Sequence, residues 1–489
     1  MWYNDFPYWL RFAHFINLIF LTLLIRSGIE ILSAMPKLYW HDHATPGTEW
    51  IKFTKKVFPA DIKERIWISL EEEESFSSWI ALPGHKNLGI GRFWHFFSII
   101  FWIANGAAYY ILLFTSDEWQ RLIPTSWSIL PGALHTGLMY LSFHFPPTNP
   151  YDPIQKLSYF VVVFILGPFM IATGAAMSPA IGARFPRYPR IFRGRQVARS
   201  LHFLAMCLFV LFLIAHISMN IIDGFTDNMG NIFLGRPTNF STAIGILAFF
   251  VVVVVVVHFL ATWISLRKPR LIQNTLGAVI EVVRRALFVR IVPRQNYSKA
   301  DVTPFFRVNG YPPDTQEYKD LLENNFVNWR LKVHGLVEKP LELSLEDLRA
   351  MKKEVQITEH SCIQGWTAIG EWGGVPMSHI LSLCRPLPQV RYVVFYSYQY
   401  IEGVQFYEAI NMELAKHHQT ILAYEMNGEP LPVPHGAPLR LRVETQLGFK
   451  MTKWISSIEF VSDYKHIGLG HGGQREDRMY YGRGADIEI

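Results

Sequence analysis

The sequence predicts a multidomain protein: an all-α transmembrane helix bundle of about five spans, followed by an α+β, strand-rich domain outside the bilayer. Three observations lead to this fold class. Hydrophobic residues make up 50% of the chain and aromatic residues 15%, which is high for a soluble protein. The apolar residues are concentrated in runs long enough to cross a hydrocarbon layer of roughly 30 Å. From about residue 270 onward, charges, prolines and short alternating runs such as YVVFYSY (392–398) indicate strands instead.

Five apolar runs are the predicted membrane spans, at about 12–34, 93–115, 158–180, 201–222 and 242–266. The last run contains seven consecutive valines from Val251, and a run without amphipathic period indicates a helix that faces lipid. The segment 128–145 is also apolar, but it is too short to span and is broken by Pro131 and Gly132. We expect it to be half-inserted or interfacial. The first run is long and ends in no small-residue cleavage site, so we expect no cleavable signal.

The same patterns divide the chain into four parts. We predict a transmembrane domain over 1–268, a basic linker over 269–300, a strand-rich domain over 301–465 and a tail over 466–489. The tail contains GLGHGGQREDRMYYGRG, which is glycine-rich and polar. We therefore expect it to be a flexible flap or disordered.

The net charge of +6 is informative mainly through its location. Two arginine-rich clusters flank the spans on one side of the predicted membrane, whereas the opposite loops carry few basic residues. By the positive-inside rule this side, and the C-terminal domain with it, would be cytoplasmic. Nucleic-acid binding explains the charge poorly, because the charge lies at the span ends. The clusters are Arg184, Arg187, Arg190, Arg193, Arg195 and Arg199, then Arg267, Lys268, Arg270, Arg284, Arg285 and Arg290; the opposite side has Arg11, Arg121, Lys156 and Arg236.

Histidines inside the spans are costly to bury and therefore indicate function. They are His14, His95, His202, His216 and His258. For His258 we favour a plain hydrogen bond to a neighbouring helix. His202 and His216 are fourteen residues apart on the fourth span, so they share a helix face and are separated by about 21 Å along it.

The topology of the spans pairs the other histidines. His14 and His95 open the first and second spans, which run in opposite directions, so these two residues lie on opposite membrane faces. The fourth span is parallel to the second, which places His202 at the depth of His95. His216 then lies at the depth of His14. Neutral imidazoles on facing helices are good axial ligands for haem iron, so we predict two stacked b-type haems, with Gly28 leaving room for the second porphyrin. The alternative is that these histidines are structural.

One cysteine has an unusual setting, in EHSCIQGWTAIGEWGG (359–374). A disulfide is not expected, because Cys207 lies in an apolar run and Cys384 follows a different segment. Zinc is not expected either, since no CxxC accompanies Cys362. A single thiolate ligand to a metal and a catalytic nucleophile both remain open, beside a small buried apolar side chain.

The first 265 residues contain the motifs RFAHF (11–15), RFWHFF (92–97) and RSLHFLAMCLFVLFLIAH (199–216). These motifs resemble the cytochrome b subunits of nickel-iron hydrogenases and formate dehydrogenases, of the bacterial cytochrome b561 type. In that family the first-span histidine pairs with the later histidine of the fourth span. The fifth span is a departure from the family. The family's usual cytoplasmic N-terminus would also put the C-terminal domain outside, against the charge distribution.

The C-terminal half contains, in this order, TPFFRVNGYPP (303–313), SCIQGW (361–366), HGAPLR (435–440) and GFKMTK (448–453). Together these motifs resemble the molybdopterin-binding domain of the sulfite oxidase family, which includes the bacterial protein-methionine-sulfoxide reductase catalytic subunit. The resemblance covers about 300–465 and implies that the Cys362 thiolate binds molybdenum beside one molybdopterin, a metal that a soft thiolate suits. Tyr398, Tyr400 and Tyr407 lie where a pocket phenol is expected. The implied cofactor contacts are Asn309, Ser397, His435, Arg440, Lys450 and Lys453.

Together the two resemblances imply a membrane-bound molybdenum oxidoreductase with a fused cytochrome b, in a bacterial inner membrane. It would exchange electrons between the quinone pool and a small or protein-bound S-oxide or N-oxide. One alternative is a sulfite-type dehydrogenase that feeds electrons to quinone, and another is a non-catalytic electron-transfer cytochrome with a cofactor-binding domain. A transporter is disfavoured, because the spans lack the paired broken helices of inverted repeats. The expected partners are quinone or quinol and membrane lipid, with homo-oligomerisation left open.

Overall fold

The computed structural model describes residues 6–58, 66–144, 151–288, 295 and 297–482. Within this part of the chain, five helices are long and apolar enough to cross a membrane, so the predicted five-span bundle is confirmed. Each helix begins a few residues before the apolar run that predicted it. The five are α1 (Tyr8–Ala34), α2 (Leu88–Thr115), α3 (Pro153–Met177), α4 (Arg195–Ile222) and α5 (Phe240–Arg267).

Capping residues fix two of these helix starts. The carboxylate of Asp152 accepts hydrogen bonds from the backbone N–H groups of Ile154 and Gln155, at 2.8 and 3.0 Å. Pro153 occupies the first position of α3, where a proline costs no hydrogen bond. The side chain of Asn239 caps α5 in the same way. Polar capping residues therefore place the helix ends outside the apolar runs themselves.

The bundle is built from neighbouring antiparallel helices. Helix α1 lies along α2, and α3 lies along α4. Helix α5 packs on α1, where Leu23 and Ala261 form a hydrophobic cluster with Leu82 of the loop between α1 and α2. Residues 161–166 in the middle of α3 are π-helical.

The short apolar segment after α2 is a continuous helix, Ile129–Leu141. We had expected Pro131 and Gly132 to break it. Both lie in its first turn, where a proline is tolerated because the N–H groups there have no intrahelical acceptor. Gly132 and Gly137 face Pro153 and Ile154, so the helix packs against the start of α3.

The basic linker contains a further helix, α6 (Pro269–Phe288), which the sequence interpretation missed. Ile272 and Leu276 on one face pack against Ile90 and Phe93 of α2. Spacing by four residues places them on one face of a helix. Arg290, the last residue of the predicted basic cluster, lies outside the described residues.

The C-terminal domain is strand-rich with short helices, which confirms the predicted α+β class. Its two sheets enclose one core that contains Trp329, Phe395, Trp454 and Phe460. The strands, numbered after β1 (Lys37–Leu38) and β2 (Ile51–Lys52) of the first interspan loop, are β3 (Arg330–Gly335), β4 (Leu341–Ser344), β5 (Glu354–Ser361), β6 (Thr367–Pro376), β7 (Tyr392–Ile401), β8 (Val404–Asn411), β9 (Thr420–Met426), β10 (Glu429–Pro430), β11 (Arg440–Val443) and β12 (Ile455–Val461). The first sheet has the order β10-β9-β6-β5 with β11 beside β9, and the second has the order β4-β3-β12-β7-β8. The domain's short α-helices are Gln316–Glu323, Leu345–Ala350, Met377–Cys384 and Met412–Lys416.

The tail differs from the flexible or disordered end that its composition predicted. Residues 466–482 are folded against the rest of the protein and contain the short helix α7 (Gln474–Arg478). Gln474, Glu476 and Asp477 are buried. Tyr481 packs on Phe449 of the C-terminal domain with ring centroids 5.3 Å apart. Glycines here allow close approach rather than mobility, and residues 483–489 lie outside the described part.

Candidate active site

Cys362 lies in the turn that joins β5 to β6 and is 2% exposed. Its backbone N–H donates to the carbonyl of Trp366 at 3.0 Å, and the N–H of Gly365 donates to the carbonyl of Cys362 at 3.0 Å. Gly365 has φ +107°, a value that favours glycine. The amide nitrogen of Asn309 is 3.8 Å from Sγ. The turn therefore holds the thiol in one position inside the domain.

The surroundings of the thiol argue against one of the three roles left open for it. Burial raises the pKa of Cys362 to about 12. A buried thiol that keeps its proton is a poor free nucleophile. A coordinating metal ion, by contrast, deprotonates a thiol outright. Burial of Cys362 therefore disfavours a free catalytic nucleophile, and a metal-bound thiolate and a packed core side chain remain.

A cavity of about 580 Å³, counted with its open mouth, lies beside this turn. Asn309 contributes both to its wall and to the contact with Cys362. None of the side chains that line it is acidic, whereas six carry a basic group. The basic lining residues are Arg307, His360, His435, Arg440, Lys453 and Arg475.

The basic groups of the cavity repel one another. Burial, followed by the charges of Arg440 and Arg475, holds the pKa of Lys453 well below its usual value. Burial, Lys453 and Arg440 lower the pKa of His435 to about 3. The Nε atom of Arg440 is buried and has no hydrogen-bond partner among the described residues. Such a cluster attracts an anion, and a phosphate would supply both the charge and the acceptor oxygens.

Four of the cofactor contacts implied by resemblance line this cavity: Asn309, His435, Arg440 and Lys453. Two others lie outside its wall. The hydroxyl of Ser397 donates to the carbonyl of Lys453 at 2.8 Å, so it holds a lining residue in place. Lys450 forms a 3.0 Å ion pair with Glu408. Burial opposes the charge on Lys450, but Glu476 and Glu408 raise its pKa above the usual value.

The phenols that we expected near the pocket do not line it. Tyr398 packs against Tyr318 with ring centroids 5.9 Å apart, and Tyr400 is half exposed. The hydroxyl of Tyr407 donates to Asp477 of the tail at 2.5 Å. Gln399, between two of them in sequence, is the residue that reaches the cavity. Strand alternation explains this, because neighbouring side chains point to opposite faces.

Several lining residues were missed by sequence reasoning. Arg307 stands two positions before Asn309, and His360 two positions before Cys362, so both lie in phrases already singled out. Arg307 is anchored by a 2.5 Å ion pair with Glu72 from the loop between α1 and α2. Arg475 comes from the tail, where no local pattern marked it.

The loop between α1 and α2 also fixes the cysteine turn. The amide oxygen of Gln364 accepts hydrogen bonds from Ser69 at 2.7 Å and from the Trp366 indole at 3.2 Å. Its amide nitrogen donates to Glu73 at 2.8 Å. The membrane domain therefore takes part in forming the wall behind Cys362.

The start of α4 touches the same turn from the membrane side. The side-chain amide of Gln196 donates to the carbonyl of Gly365 at 2.8 Å. Arg195 reaches Ser361 at 3.3 Å and pairs with Glu359 at 3.7 Å. His202 is six residues further along α4, about 9 Å at 1.5 Å per residue. The cysteine turn and a predicted haem ligand are thus joined by one hydrogen bond and less than two helical turns.

The four predicted haem-ligand histidines form two pairs. The rings of His14 and His216 have centroids 6.2 Å apart. Metal–imidazole bonds are about 2.0 Å long, so two imidazoles on opposite sides of one iron have centroids about 6 Å apart. His95 and His202 lie close enough for their rings to interact electrostatically.

Hydrogen bonds orient three of these rings through Nδ1. Ser27 holds Nδ1 of His95 at 3.1 Å, and Thr173 holds Nδ1 of His202 at 3.0 Å. Tyr159 lies 3.4 Å from Nδ1 of His216. Metal-bound histidines are commonly oriented by a partner on the second nitrogen, which leaves Nε2 for the metal. The residues present therefore fit bis-histidine haem ligation.

Two glycines lie against the His95 and His202 rings. A Cβ at Gly28 would be 3.7 Å from Cε1 of His95, and one at Gly174 would be 3.4 Å from Cε1 of His202. Gly28 therefore lies beside the pair formed by His95 and His202, where the sequence predicts that it leaves room for a porphyrin. His258, in contrast, has both ring nitrogens engaged, with Thr22 at 2.9 Å and Arg26 at 2.8 Å. This agrees with a structural hydrogen bond between α5 and α1.

Comparisons with known proteins match both halves of the chain. Residues 5–235 match the family described as Prokaryotic cytochrome b561. Residues 319–466 match the family described as Oxidoreductase molybdopterin binding domain. Both resemblances seen in the sequence motifs are therefore confirmed. Helix α5 and the tail beyond residue 466 lie outside the matched ranges.

Curated relatives cover parts of the chain. YedZ1 of Azospira oryzae, named provisionally as a protein-methionine-sulfoxide reductase subunit, is 33% identical over 184 residues, 38% of this chain and 64% of that protein. The protein-methionine-sulfoxide reductase catalytic subunit MsrP of Xanthomonas campestris is 37% identical over 144 residues, 27% of this chain and 45% of that protein. The chain thus spans 45–64% of the length of these two relatives. Among solved structures, the sulfane dehydrogenase SoxCD of Paracoccus pantotrophus matches at 24% identity and a TM-score of 0.26, over 31% of this chain and 40% of that one.

Proposed function

We propose that this chain, which joins a cytochrome b561 domain to an oxidoreductase molybdopterin-binding domain, is a membrane-bound enzyme that exchanges electrons between quinone and an S-oxide or N-oxide. Cys362 would hold the molybdenum of molybdopterin. His95 with His202 and His14 with His216 would hold two b-type haems. The relatives named as methionine-sulfoxide reductase subunits support the sulfoxide class of substrate.

One observation carries this proposal: the hydrogen bond from Gln196 to Gly365. This bond joins the turn that holds Cys362 to the helix that carries His202, so a short structural connection links the two predicted redox centres. The pair formed by His14 and His216 lies further along the same helix. Quinones dissolve in the bilayer, so a chain of two haems across it could receive electrons from a quinol and deliver them to the soluble domain.

The side chains of the cavity have separable roles in this reaction. When bound, molybdopterin supplies the metal centre for a two-electron oxygen-atom exchange, and haem supplies one-electron transfers. His435, Arg440 and Lys453 would bind the cofactor's phosphate. Phe306 and Trp366 close the cavity wall and limit water. Reduction of a sulfoxide consumes two electrons and two protons and releases a thioether and water.

We predict that sulfoxides reoxidise the haems of the purified protein under anaerobic conditions. Haem is first reduced with a quinol analogue, and a panel of sulfoxides, N-oxides, nitrate and sulfur anions is then added. The expected result is loss of the reduced haem bands with methionine sulfoxide or a related S-oxide, in metal-replete protein alone. Because sulfite oxidation is the reverse electron flow, reduction of oxidised haems by sulfite would instead establish the dehydrogenase alternative. A preparation that contains haem but reacts with no member of the panel would favour the non-catalytic cytochrome.

We also propose that the C-terminal domain is cytoplasmic. Some arginines behind this inference contact the soluble part: Arg195 binds Ser361 and Arg270 binds the carbonyl of Asp477. Such contacts would hold in either orientation. The cytoplasmic assignment is supported instead by exposed arginines at the same membrane face, which include Arg187 and Arg190.

A protease test of orientation follows. Inverted inner-membrane vesicles expose the cytoplasmic face, so added protease should remove an epitope tag placed after residue 489, whereas intact spheroplasts should protect it. A tag cleaved in spheroplasts and protected in inverted vesicles would place the domain on the opposite side.

A further inference from the structure

The tail contributes to the cavity although it lies outside both matched families. Arg475 of α7 lines the cavity together with Asn309 and Lys453. A residue that follows the family domain is therefore part of the candidate active site.

The guanidinium of Arg475 forms no ion pair with a carboxylate among the described residues, and each acidic residue near it, including Glu73 bound to Gln364, has another partner. Glu408 and Glu476 both pair with Lys450. Asp477 accepts from Tyr407 and from the backbone N–H of Leu469. Among the described residues, the Arg475 guanidinium donates to the sulfur of Met479 at 2.9 Å and lies 5.9 Å from the centre of the Phe406 ring. Leaving a charged guanidinium without an anion in a partly buried cavity is unfavourable.

The membrane domain holds this tail in position. Arg270 of α6 donates to the carbonyl of Asp477 at 2.6 Å, and Gln273 donates to that of Tyr481 at 3.1 Å. A Cβ at Gly89 of α2 would lie 2.4 Å from the carbonyl oxygen of Met479, so only glycine allows this approach. The position of Arg475 is thus set from both sides, by α2 and α6 and by the C-terminal domain.

We propose that Arg475 is an oxyanion-binding residue of the active-site cavity, supplied by a tail that the membrane domain fixes in place. This inference rests on the proposed molybdopterin enzyme. The bound oxygen belongs either to the cofactor's phosphate or to the substrate, and planar guanidinium groups bind both kinds through charge-assisted hydrogen bonds. The tail would then make cofactor or substrate binding depend on contact between the two domains.

The test compares four variants of the full-length membrane protein, three of them on α7 and the fourth, Gln273→Ala, on α6. Arg475→Gln removes the charge and Arg475→Lys keeps it. Arg478→Gln is the matched control, since Arg478 lies on the same short helix but pairs with exposed Glu402 away from the cavity. Two quantities are measured: the pterin content per chain, by fluorescence after acid oxidation, and KM for the sulfoxide that reoxidises the haems. Haem content serves as the measure of folding.

Loss of a charge-assisted contact weakens binding by about 10- to 100-fold. If the ligand is the cofactor's phosphate, Arg475→Gln should lose most of its pterin during purification while Arg475→Lys keeps more. If it is the substrate oxygen, pterin should stay while KM rises about 10-fold or more. Gln273→Ala, which removes a hydrogen bond between α6 and the tail, should change whichever of the two quantities Arg475→Gln changes, pterin content or KM, and in the same direction. Normal pterin and normal KM in Arg475→Gln would overturn the inference, whereas absence of pterin from the unaltered protein would overturn the proposed function instead.

Discussion

Replacing Cys362 by serine should abolish sulfoxide-dependent turnover while leaving both haems in place. A serine hydroxyl is nearly the same size, so the turn between β5 and β6 should keep its hydrogen bonds. It is, however, a hard oxygen ligand in place of a soft thiolate, and the metal loses its protein sulfur. Since changes beside a metal ligand already cost about 10- to 100-fold, loss of the ligand itself should lower kcat by more than about 100-fold. The rate at which the sulfoxide reoxidises reduced haem measures this fall in kcat directly.

A second cysteine provides the control for this prediction. Cys384 is as deeply buried as Cys362, but it packs among apolar side chains of the main core, and its thiol donates to the carbonyl of Leu381 at 3.9 Å. Cys384→Ser should therefore reduce stability without changing turnover per molybdenum. If Cys362→Ser kept molybdenum and full turnover, the proposed catalytic role of the thiolate would be wrong.

Much of the architecture could be predicted because it depends on local patterns. Apolar length predicted the five spans, and the alternation of span direction with helical spacing paired His14 with His216. The ordered phrases around Asn309, Cys362 and His435 predicted which part of the soluble domain forms the site. Each of these inferences needs residues close in sequence or a strict geometric rule.

The missed features depend on contacts that no local pattern records. Glu72 anchors Arg307 across more than two hundred residues of sequence, and the tail reaches the cavity from the end of the chain. Composition predicted a mobile tail because glycines and charges are common in disordered ends. Here the glycines permit close backbone contacts and the charges are buried in pairs such as Lys450 with Glu476. Helix α6 is different, because the four-residue spacing of Ile272 and Leu276 is a helical pattern that is present in the sequence of the basic linker itself.

Replacing His202 by alanine should separate the soluble site from the quinone while leaving that site intact. The imidazole of His202 would be one of two axial ligands of the haem nearer the cysteine turn, so its loss should reduce the haem content from about two to about one per chain. Quinol-driven sulfoxide reduction should then fall by more than about 100-fold. Reduction driven by a small artificial electron donor, which can reach the soluble domain directly, should change much less. A variant that retains two haems, or loses both activities equally, would contradict the proposed electron path.

The appropriate control for that variant is His258→Gln, because the bundle contains both histidines at partly buried positions. His258 binds Thr22 and Arg26 through its two ring nitrogens and has none free for a metal. A glutamine can replace much of this bonding, so His258→Gln should keep two haems and its quinol-driven activity. The contrast matters because any buried polar group in a membrane is costly and its removal can destabilise the bundle. Haem loss confined to His202→Ala would show ligation, since a general loss of helix packing would affect both variants.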